Sequence, residues 1–172
     1  PFTIASCPAD GVIELTTKVG DVPSDFKQAL LELEPDMEVG MSGPVGSFYI
    51  NGESSAVLIA GGIGLTPFRA MLKEIVETGS NLKLKVTLLY VDGENIFVYK
   101  DELTDFAKKT GSEVQFIEAS EALYKALEVL SGTKEAKYFI AGPYSMVESV
   151  SKHLTNTGIT KKNIKKDTFI GY

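Results

Sequence analysis

The sequence predicts an α/β protein with an open parallel sheet of about five strands, preceded by a shorter section of mostly β structure. From residue 51 onward, short apolar runs alternate with amphipathic helical patterns, as in parallel strands joined by helical crossovers. Before residue 50, apolar and polar residues alternate as in half-buried antiparallel strands. This first section is too short to close a barrel by itself.

The most informative stretch is residues 56–78, which read AVLIAGGIGLTPFRAMLKEIVET. Residues 56–60 are apolar and β-branched enough for a strand that is buried on both faces. A glycine-rich turn follows, and Thr66 and Pro67 then occupy the expected N-cap and first position of a helix. The apolar side chains of this helix share one face, at Phe68, Met71, Leu72, Ile75 and Val76.

A strand, a glycine turn and a capped helix together favour a phosphate-binding site. Glycines let the backbone approach an anion closely, and the free N–H groups at the positive end of a helix dipole attract it. The spacing Gly62-x-Gly64-x-x-Pro67 differs from the usual dinucleotide fingerprint, because proline replaces the third glycine. An ordinary tight turn between a strand and a helix is the alternative interpretation.

The other elements follow in order along the chain. In the first section we expect strands at 2–6, 12–19 and 37–41, and a helix that Ser24 caps and Pro35 ends. After residue 51 we expect further strands at 84–90, 113–118, 137–141 and 168–170, and helices at 101–109, 121–130 and 144–156. Ligands bind such sheets at the carboxyl ends of the strands.

Composition and charge restrict the classes of function. A hydrophobic content of 44% with 23% charged residues is typical of a soluble globular protein, and no apolar run approaches a membrane span. The net charge of −6 comes from residues 1–50, which hold eight acids and two lysines, and an acidic chain is a poor nucleic-acid binder. With one cysteine and one histidine, we expect no metal centre, and we expect a reducing, cytoplasmic setting.

Four short stretches together resemble motifs of the ferredoxin–NADP reductase family. Residues 1–6, PFTIAS, resemble the flavin motif Arg-x-(Tyr/Phe)-(Ser/Thr) without its arginine, and residues 62–67, GIGLTP, resemble the pyridine-nucleotide loop. The segment 141–146, AGPYSM, resembles the Cys-Gly-Pro…Met motif with alanine in place of cysteine. Residues 169–172, FIGY, resemble the terminal Phe-x-Gly-Tyr. The resemblance covers the whole chain, but only the C-terminal half of the family's flavin domain.

The resemblance implies two domains and an activity. Residues 1–50 would be the C-terminal part of an antiparallel flavin-binding β-barrel, and residues 51–172 would be the NAD(P)-binding domain. The protein would pass electrons from NADH or NADPH through FAD to an electron-carrier protein, or to an oxygenase or reductase partner. The alternative is a nucleotide-binding electron-transfer or regulatory subunit that is active only within a larger complex. Because the sequence starts inside an expected strand, we expect a fragment that is inactive alone.

The resemblance also implies roles for individual residues. Phe2 would lie against the flavin ring, the Thr3 hydroxyl would hydrogen-bond its reactive edge, and Tyr172 would stack where the nicotinamide enters. Thr3 and Tyr172 are thus the catalytic candidates. Ser24 would hold an FAD phosphate. The residues expected to bind the pyridine nucleotide are Gly62, Gly64, Thr66, Pro67, Gly142, Pro143 and Met146.

Structural interpretations stay open beside these roles. Phe2 and Thr3 could be ordinary strand residues, and Ser24 could be a helix cap. Gly142 and Pro143 could form a turn before a helix, and Tyr172 could be a frayed terminus. We favour Cys7 as a small buried hydrophobe and His153 as a solvated residue near a helix C-terminus. The lysines at 161, 162, 165 and 166 could dock an acidic carrier, although a solvated loop is favoured.

The acids that follow the second and third strands favour NADH over NADPH. Cations recognise the 2′-phosphate of NADPH, whereas a carboxylate often accepts the free 2′-hydroxyl of NADH. In NADP-specific members of the family a Ser-Arg pair follows the third strand, and the matching place here reads Ser120-Glu121, close to Glu118. The second strand ends at Asp92 and Glu94. Solvated loop ends are the alternative interpretation of these acids.

Overall fold

The computed structural model describes residues 2–79, 83–130, 132–133 and 135–169. The strands are β1 (Ser55–Gly61), β2 (Lys85–Val91), β3 (Glu113–Ile117), β4 (Lys137–Pro143) and β5 (Ile164–Phe169). They form one sheet in the order β3-β2-β1-β4-β5, and every neighbouring pair is parallel. The predicted open parallel sheet of five strands is confirmed.

Helices cover both faces of this sheet. They are α1 (Asp25–Leu31), α2 (Thr66–Thr78), α3 (Lys100–Thr110), α4 (Ser120–Leu130) and α5 (Tyr144–Asn156). One apolar core joins α2 and α3 to the sheet, and a second joins α4 and α5 to its other face. Among the described residues, none of the helices has the length and apolar character needed to cross a membrane.

The central strand β1 has an uninterrupted apolar sequence because helices cover both of its faces. Along β1 successive side chains point to opposite faces, so Leu58 lies in the core under α2 and α3 and Ile59 lies in the core under α4 and α5. Both side chains have no exposed surface. A strand that is buried on both faces needs apolar residues at every position.

The edge strand β5 begins four residues before the predicted start at 168. Its sequence, IKKDTF, is mostly polar and therefore lacks the apolar signal of the central strands. Among the described strands β5 pairs with β4 alone, which places it at an edge of the sheet, where charged side chains are tolerated.

The strands that we predicted at 2–6, 12–19 and 37–41 are wrong. Among the described residues of 2–50, β pairing is limited to one isolated antiparallel bridge between Ile4 and Leu15. A strand requires a neighbour for its hydrogen bonds, and this section offers too few. Most of its large apolar side chains consequently stay in solvent, as for Val22 and Val45, which are each 93% exposed. The helix capped by Ser24 is confirmed as α1.

Candidate functional site

A cleft of about 670 Å³ opens at the carboxyl ends of β1, β2 and β4. The turn after β1, the turn after β2 and the start of α5 line it, and α4 contributes a further wall. The connections of β1 and β4 leave these neighbouring strands toward opposite sides of the sheet. Open α/β sheets bind ligands at such a reversal of strand order, so the cleft lies where the sequence predicts it.

Glycines let β1 and β4 approach closely beneath the cleft. A Cβ atom on Gly64 would lie 2.2 Å from the carbonyl oxygen of Ala141, and one on Gly142 would lie 3.0 Å from the carbonyl oxygen of Gly61. Gly142 also has a φ of +149°, which side chains rarely permit. The thioether of Met146 covers Gly61, where a Cβ would lie only 2.2 Å from its Sδ. Packing against backbone therefore accounts for Gly64 and Gly142, and packing against the Met146 side chain accounts for Gly61.

Gly62 differs from Gly61, Gly64 and Gly142 because no atom packs tightly against it on the side of the cleft. Its φ is +52°, and the nearest atom to an added Cβ is an Asp92 carboxylate oxygen at 3.8 Å. Gly62 and Ile63 are half-buried and line the cleft, and their short 3-10 helix, Gly62–Leu65, continues directly into α2. The N-terminal end of a helix attracts anions, so this turn has the features that the phosphate interpretation requires.

The N-cap role that we assigned to Thr66 is wrong. Thr66 is only 2% exposed, and its hydroxyl donates a hydrogen bond to the carbonyl oxygen of Ile63 at 3.2 Å. Leu65 precedes the helix instead, because the 3-10 turn leads into α2 without a break. Pro67 lies in the first turn of α2 and is buried as well. Thr66 and Pro67 thus lie behind the turn and do not line the cleft.

The flavin candidates that the structure describes, Phe2, Thr3 and Ser24, are not among the residues that line the cleft. Phe2 stacks on Phe26 with 5.6 Å between ring centroids, and Thr3 is half-buried. Ser24 accepts a hydrogen bond of 3.4 Å from a backbone N–H of α1, so it is at least a helix cap. Tyr172 lies outside the described residues.

Acidic side chains dominate the wall after β2. The Asp92 carboxylate accepts hydrogen bonds from the backbone N–H groups of Glu94, at 2.9 Å, and Ile96, at 3.3 Å, which shapes the turn. Glu94 pairs with Lys18 at 2.6 Å across the cleft mouth. The sequence did not predict that Lys18 lies at the cleft, because Lys18 is separated by 76 residues from its partner Glu94 and no motif surrounds it.

The start of α4 forms the wall after β3. Ser120 lines the cleft, and Glu121, the next residue, is exposed in the first turn of α4. The sequence predicted a role for Ser120 and Glu121. It did not predict one for Tyr124 and Ser149, which also line the cleft from α4 and α5. In the sequence, Tyr124 and Ser149 cannot be told from other partly exposed residues of an amphipathic helix.

Tyr90 supplies a buried hydroxyl at the inner end of the cleft. Burial raises the pKa of Tyr90 to about 12. Its hydroxyl oxygen accepts a hydrogen bond from the Val98 backbone N–H at 3.2 Å. Tyr90 is therefore neutral at pH 7 and adds no charge to the cleft.

Comparisons with known proteins agree with this geometry. The model of the oxidoreductase NAD-binding domain family matches residues 58–152. The toluate 1,2-dioxygenase electron transfer component of Pseudomonas putida is 28% identical to the chain, over 98% of this chain and 53% of its own length. The probable flavin reductase of Vibrio harveyi is 30% identical, over 86% of this chain and 71% of its own length.

The same fold occurs in ferredoxin-NADP+ reductase from Plasmodium falciparum, with a TM-score of 0.81 and 16% identity over 98% of this chain and 76% of that chain. At this level of identity the likeness concerns the fold alone. The family match at 58–152 contains every segment that lines the cleft except Lys18. The chain therefore belongs to the oxidoreductase NAD-binding domain family of ferredoxin–NADP reductase-like proteins, as its motifs predict.

Proposed function

We propose that the chain is the nucleotide-binding part of a flavin-dependent oxidoreductase. The full-length protein takes electrons from NADH and passes them through FAD to a partner electron carrier or oxygenase component. The observation that carries this proposal is the cleft at the reversal of strand order, with Gly62 facing it at the start of the 3-10 turn that leads into α2. Membership in an oxidoreductase family and a dioxygenase electron transfer component among the relatives support it.

The cleft fits a pyridine nucleotide in size and in the groups that it offers. Ligand sites usually have volumes of roughly 300–1,000 Å³, and about 670 Å³ lies within that range. Backbone N–H groups of the turn after Gly61 hold the pyrophosphate, and Gly64, Thr66 and Pro67 keep the turn in shape from behind. Pro143 and Met146 form the wall on the nicotinamide side, and Gly142 packs against Gly61 beneath it.

Charge in and beside the cleft favours NADH. Asp92 and Glu94 lie in one wall, and Glu121 lies at the start of another. The sequence contains a single arginine, Arg69, which is 6% exposed and lies outside the cleft lining. Among the described lining residues the one cation is Lys18, which already pairs with Glu94. A 2′-phosphate would meet more carboxylates than cations here.

The first section fits FAD only in part. Its two lysines are both engaged, since Lys18 pairs with Glu94 and Lys27 donates to the Lys18 carbonyl oxygen at 2.6 Å. Residues 1–50 also hold eight acids, which do not suit a diphosphate. We assign residues 1–50 to the C-terminal part of a flavin-binding barrel that is incomplete here, and residues 51–172 to the nucleotide domain. Phe2, Thr3, Ser24 and Tyr172 are the candidates for flavin contact.

Calorimetric titration of the chain with NADH and NADPH tests nucleotide binding. We expect heat of binding with both coenzymes and a lower Kd for NADH. Ser149→Trp places a large ring in the cleft wall and should abolish the heat, whereas Ser151→Trp, on the same helix but outside the cleft lining, should not. If neither coenzyme gives heat with the folded wild-type chain, the proposed site is wrong.

Flavin retention tests the assignment of the first section. We expect the chain alone to bind FAD weakly or not at all, because few cations are available for its phosphates. A yellow preparation that keeps stoichiometric FAD through gel filtration would contradict this. The full-length protein should reduce ferricyanide with NADH without a partner. Reduction only in the presence of a partner would identify a subunit of a larger complex.

A further inference from the structure

The one arginine of the sequence is buried between the two sections of the chain. The Arg69 side chain extends from α2, and its Nη1 donates to the Ala5 carbonyl oxygen at 2.8 Å and to a Glu14 carboxylate oxygen at 2.9 Å. Its Nε donates to a Glu102 carboxylate oxygen at 2.9 Å. The guanidinium carbon lies 4.1 Å from the centre of the Tyr99 ring. We call Arg69, Glu14, Tyr99, Glu102 and the Ala5 carbonyl the Arg69 joint.

The contacts of the Arg69 joint reach only one part of the first section. Ala5, Ser6 and Cys7 are at most 5% exposed, although most of residues 2–50 is exposed. One helical turn beyond Arg69, Lys73 forms an ion pair with Asp10. Two cations on one face of α2 thus hold the segment that contains Ala5, Asp10 and Glu14.

The conformation and contacts of Tyr99 indicate that the Arg69 joint has one defined geometry and is not a loose surface contact. Its backbone lies in the left-handed region, with φ 61°, directly before α3. Its hydroxyl donates to Glu14 at 2.7 Å and lies 2.6 Å from the Thr16 hydroxyl. A non-glycine residue keeps such a backbone conformation only when its surroundings hold it there. Here a cation over the ring and two partners at the hydroxyl do so.

The joint links the two places where cofactors are proposed to bind. Arg69 is two residues beyond Pro67 in the first turns of α2, which begins at the cleft turn. On the other side, Ala5 is two residues beyond Thr3. A short path of hydrogen bonds and rigid helix therefore connects Thr3 with the turn at Gly62.

We propose that Arg69 is a positioning residue that fixes residues 4–16 on α2 and thereby sets Thr3 at a defined distance from the Gly62 turn. The inference rests on the proposed function for its catalytic meaning, since Thr3 is the flavin candidate and Gly62 faces the nucleotide cleft. Apolar residues can replace a buried ion pair with little loss of stability, so stability alone does not explain a buried arginine with directed hydrogen bonds. Directed contacts define one relative position, and hydride transfer depends on distance and orientation.

The single cysteine of the sequence offers a native probe of the joint. Cys7 is 3% exposed and lies within the segment that Arg69 and Lys73 hold. If the joint opens, an aromatic disulfide reagent such as DTNB should label Cys7 faster. We expect Arg69→Met to raise the labelling rate at least about tenfold and Arg69→Lys to raise it less, because lysine keeps the charge but loses the planar donor pair.

Lys109→Met is the matched control for this labelling. Lys109 pairs with Asp105 at 2.8 Å on the exposed side of α3, so its removal breaks an ion pair of similar length outside the joint. It should leave the Cys7 rate unchanged. Urea unfolding of each variant separates local opening from global instability. Should Arg69→Met not fold, Glu14→Gln tests the same expectation. A Cys7 rate equal to wild type in the folded variant would overturn the proposal.

The positioning role is tested in the full-length protein with FAD bound. Rapid mixing with NADH gives both the Kd of NADH and the rate of flavin bleaching at saturation. For Arg69→Met we expect the rate to fall about tenfold while Kd stays within about twofold, with partial recovery in Arg69→Lys. A residue that only stabilises the fold would change neither value below the melting temperature, and that result would overturn the role.

The two experiments also separate this proposal from the proposed function. Cys7 labelling requires neither nucleotide nor flavin. If Cys7 labelling rises in Arg69→Met but the wild-type chain gives no heat with NADH or NADPH, the joint stands and the proposed function fails. If the nucleotides bind and Cys7 labelling does not change, the joint fails and the proposed function stands.

Discussion

Residues 55–169 bury most of their large apolar side chains, whereas residues 2–50 leave most of theirs exposed. In the first of these regions Leu58, Phe139 and Ile140 have no exposed surface, since helices cover both faces of the sheet. In the second, Val22 and Val45 are each 93% exposed. Yet both regions show the residue patterns of regular secondary structure.

The comparison shows that an alternating apolar pattern forms a strand only when a neighbouring strand is present to share its hydrogen bonds. Each strand of the sheet finds its neighbour within residues 55–169. The alternating runs of the first region find one isolated bridge, and polar contacts to α2, together with the buried Ala5 and Cys7, hold its residues 4–16. The strands of the sheet thus find their hydrogen-bonding partners within residues 55–169, whereas residues 4–16 depend on contacts with α2.

The largest difference should appear when an apolar side chain is shortened in each region. Leu58→Ala opens a cavity in a strand with no exposed surface and should lower the free energy of unfolding by about 3–4 kcal/mol. Val22→Ala should change it by less than about 0.5 kcal/mol, because the side chain is already in solvent. Urea denaturation followed by circular dichroism measures both. Equal effects would mean that Val22 has a partner in solution.

Replacing a glycine by alanine should also change the free energy of unfolding differently in the two regions, but by a smaller amount. Gly64→Ala drives a Cβ to 2.2 Å from the Ala141 carbonyl oxygen, which belongs to a rigid strand, so we expect a loss of about 2–3 kcal/mol. At Gly40 an added Cβ meets nothing within 4 Å, and φ is not positive. Gly40→Ala should leave stability unchanged or raise it by up to about 1 kcal/mol. A tolerated Gly64→Ala would show that the 3-10 turn Gly62–Leu65 can move away from β4.

These two regions also show how far the sequence predicts the fold. The parallel sheet, α2 and the glycine turn follow from local patterns, because a strand buried on both faces and an amphipathic helix each have a distinct period. The predicted strands of residues 2–50 have an equally clear period but lack partners. The start of β5 was misplaced because an edge strand needs little apolar sequence.

The site was predictable where it is local and unpredictable where it is long-range. Gly62, Pro143 and Met146 line the cleft as expected, because the ends of adjacent parallel strands must meet. The Arg69 contacts to Ala5 and Glu14 span 64 and 55 residues, and no sequence spacing encodes them. A useful signal was present, since Arg69 is the one arginine of the sequence and lies between buried positions of α2.

Coenzyme choice should depend on the nucleotide domain alone. If Glu121 stands where a 2′-phosphate would bind, Glu121→Arg removes a repulsion and adds a charge-assisted hydrogen bond worth about 1.5–3 kcal/mol. NADPH affinity should then rise by about 10- to 100-fold, since ~1.4 kcal/mol is tenfold, and NADH affinity should change little or fall slightly. Calorimetry with both coenzymes measures this.

Glu113→Arg is the matched control, because it makes the same charge change at the other end of the strand that precedes Glu121. It should leave both affinities unchanged. A wild-type preference for NADPH would contradict the assignment of Glu121. Unchanged affinities in Glu121→Arg would identify Glu121 as a solvated helix start.

Acid should loosen the first region before the sheet. The hydrogen bond from Tyr99, followed by that from Arg69, holds the pKa of Glu14 below its ordinary value of 4.5. The hydrogen bond from Lys73 likewise lowers the pKa of Asp10. A carboxyl group whose pKa is lower in the folded state stabilises that state above its unfolded pKa. This stabilisation is lost as the pH falls through the folded pKa, so the joint should weaken below pH 4.5.

Hydrogen exchange measures this smallest effect. The Ala5 N–H bonds to the Glu14 carbonyl oxygen at 2.8 Å, so its protection reports on the joint, while amides of β1 report on the sheet. After correction for intrinsic rates, protection of Ala5 should fall by up to about tenfold between pH 6 and about 3.5, with β1 nearly unchanged. Glu14→Gln should reduce this pH dependence, because the titrating group is gone. If Ala5 and β1 instead lose protection together, the two regions open as one unit and the comparison between them fails.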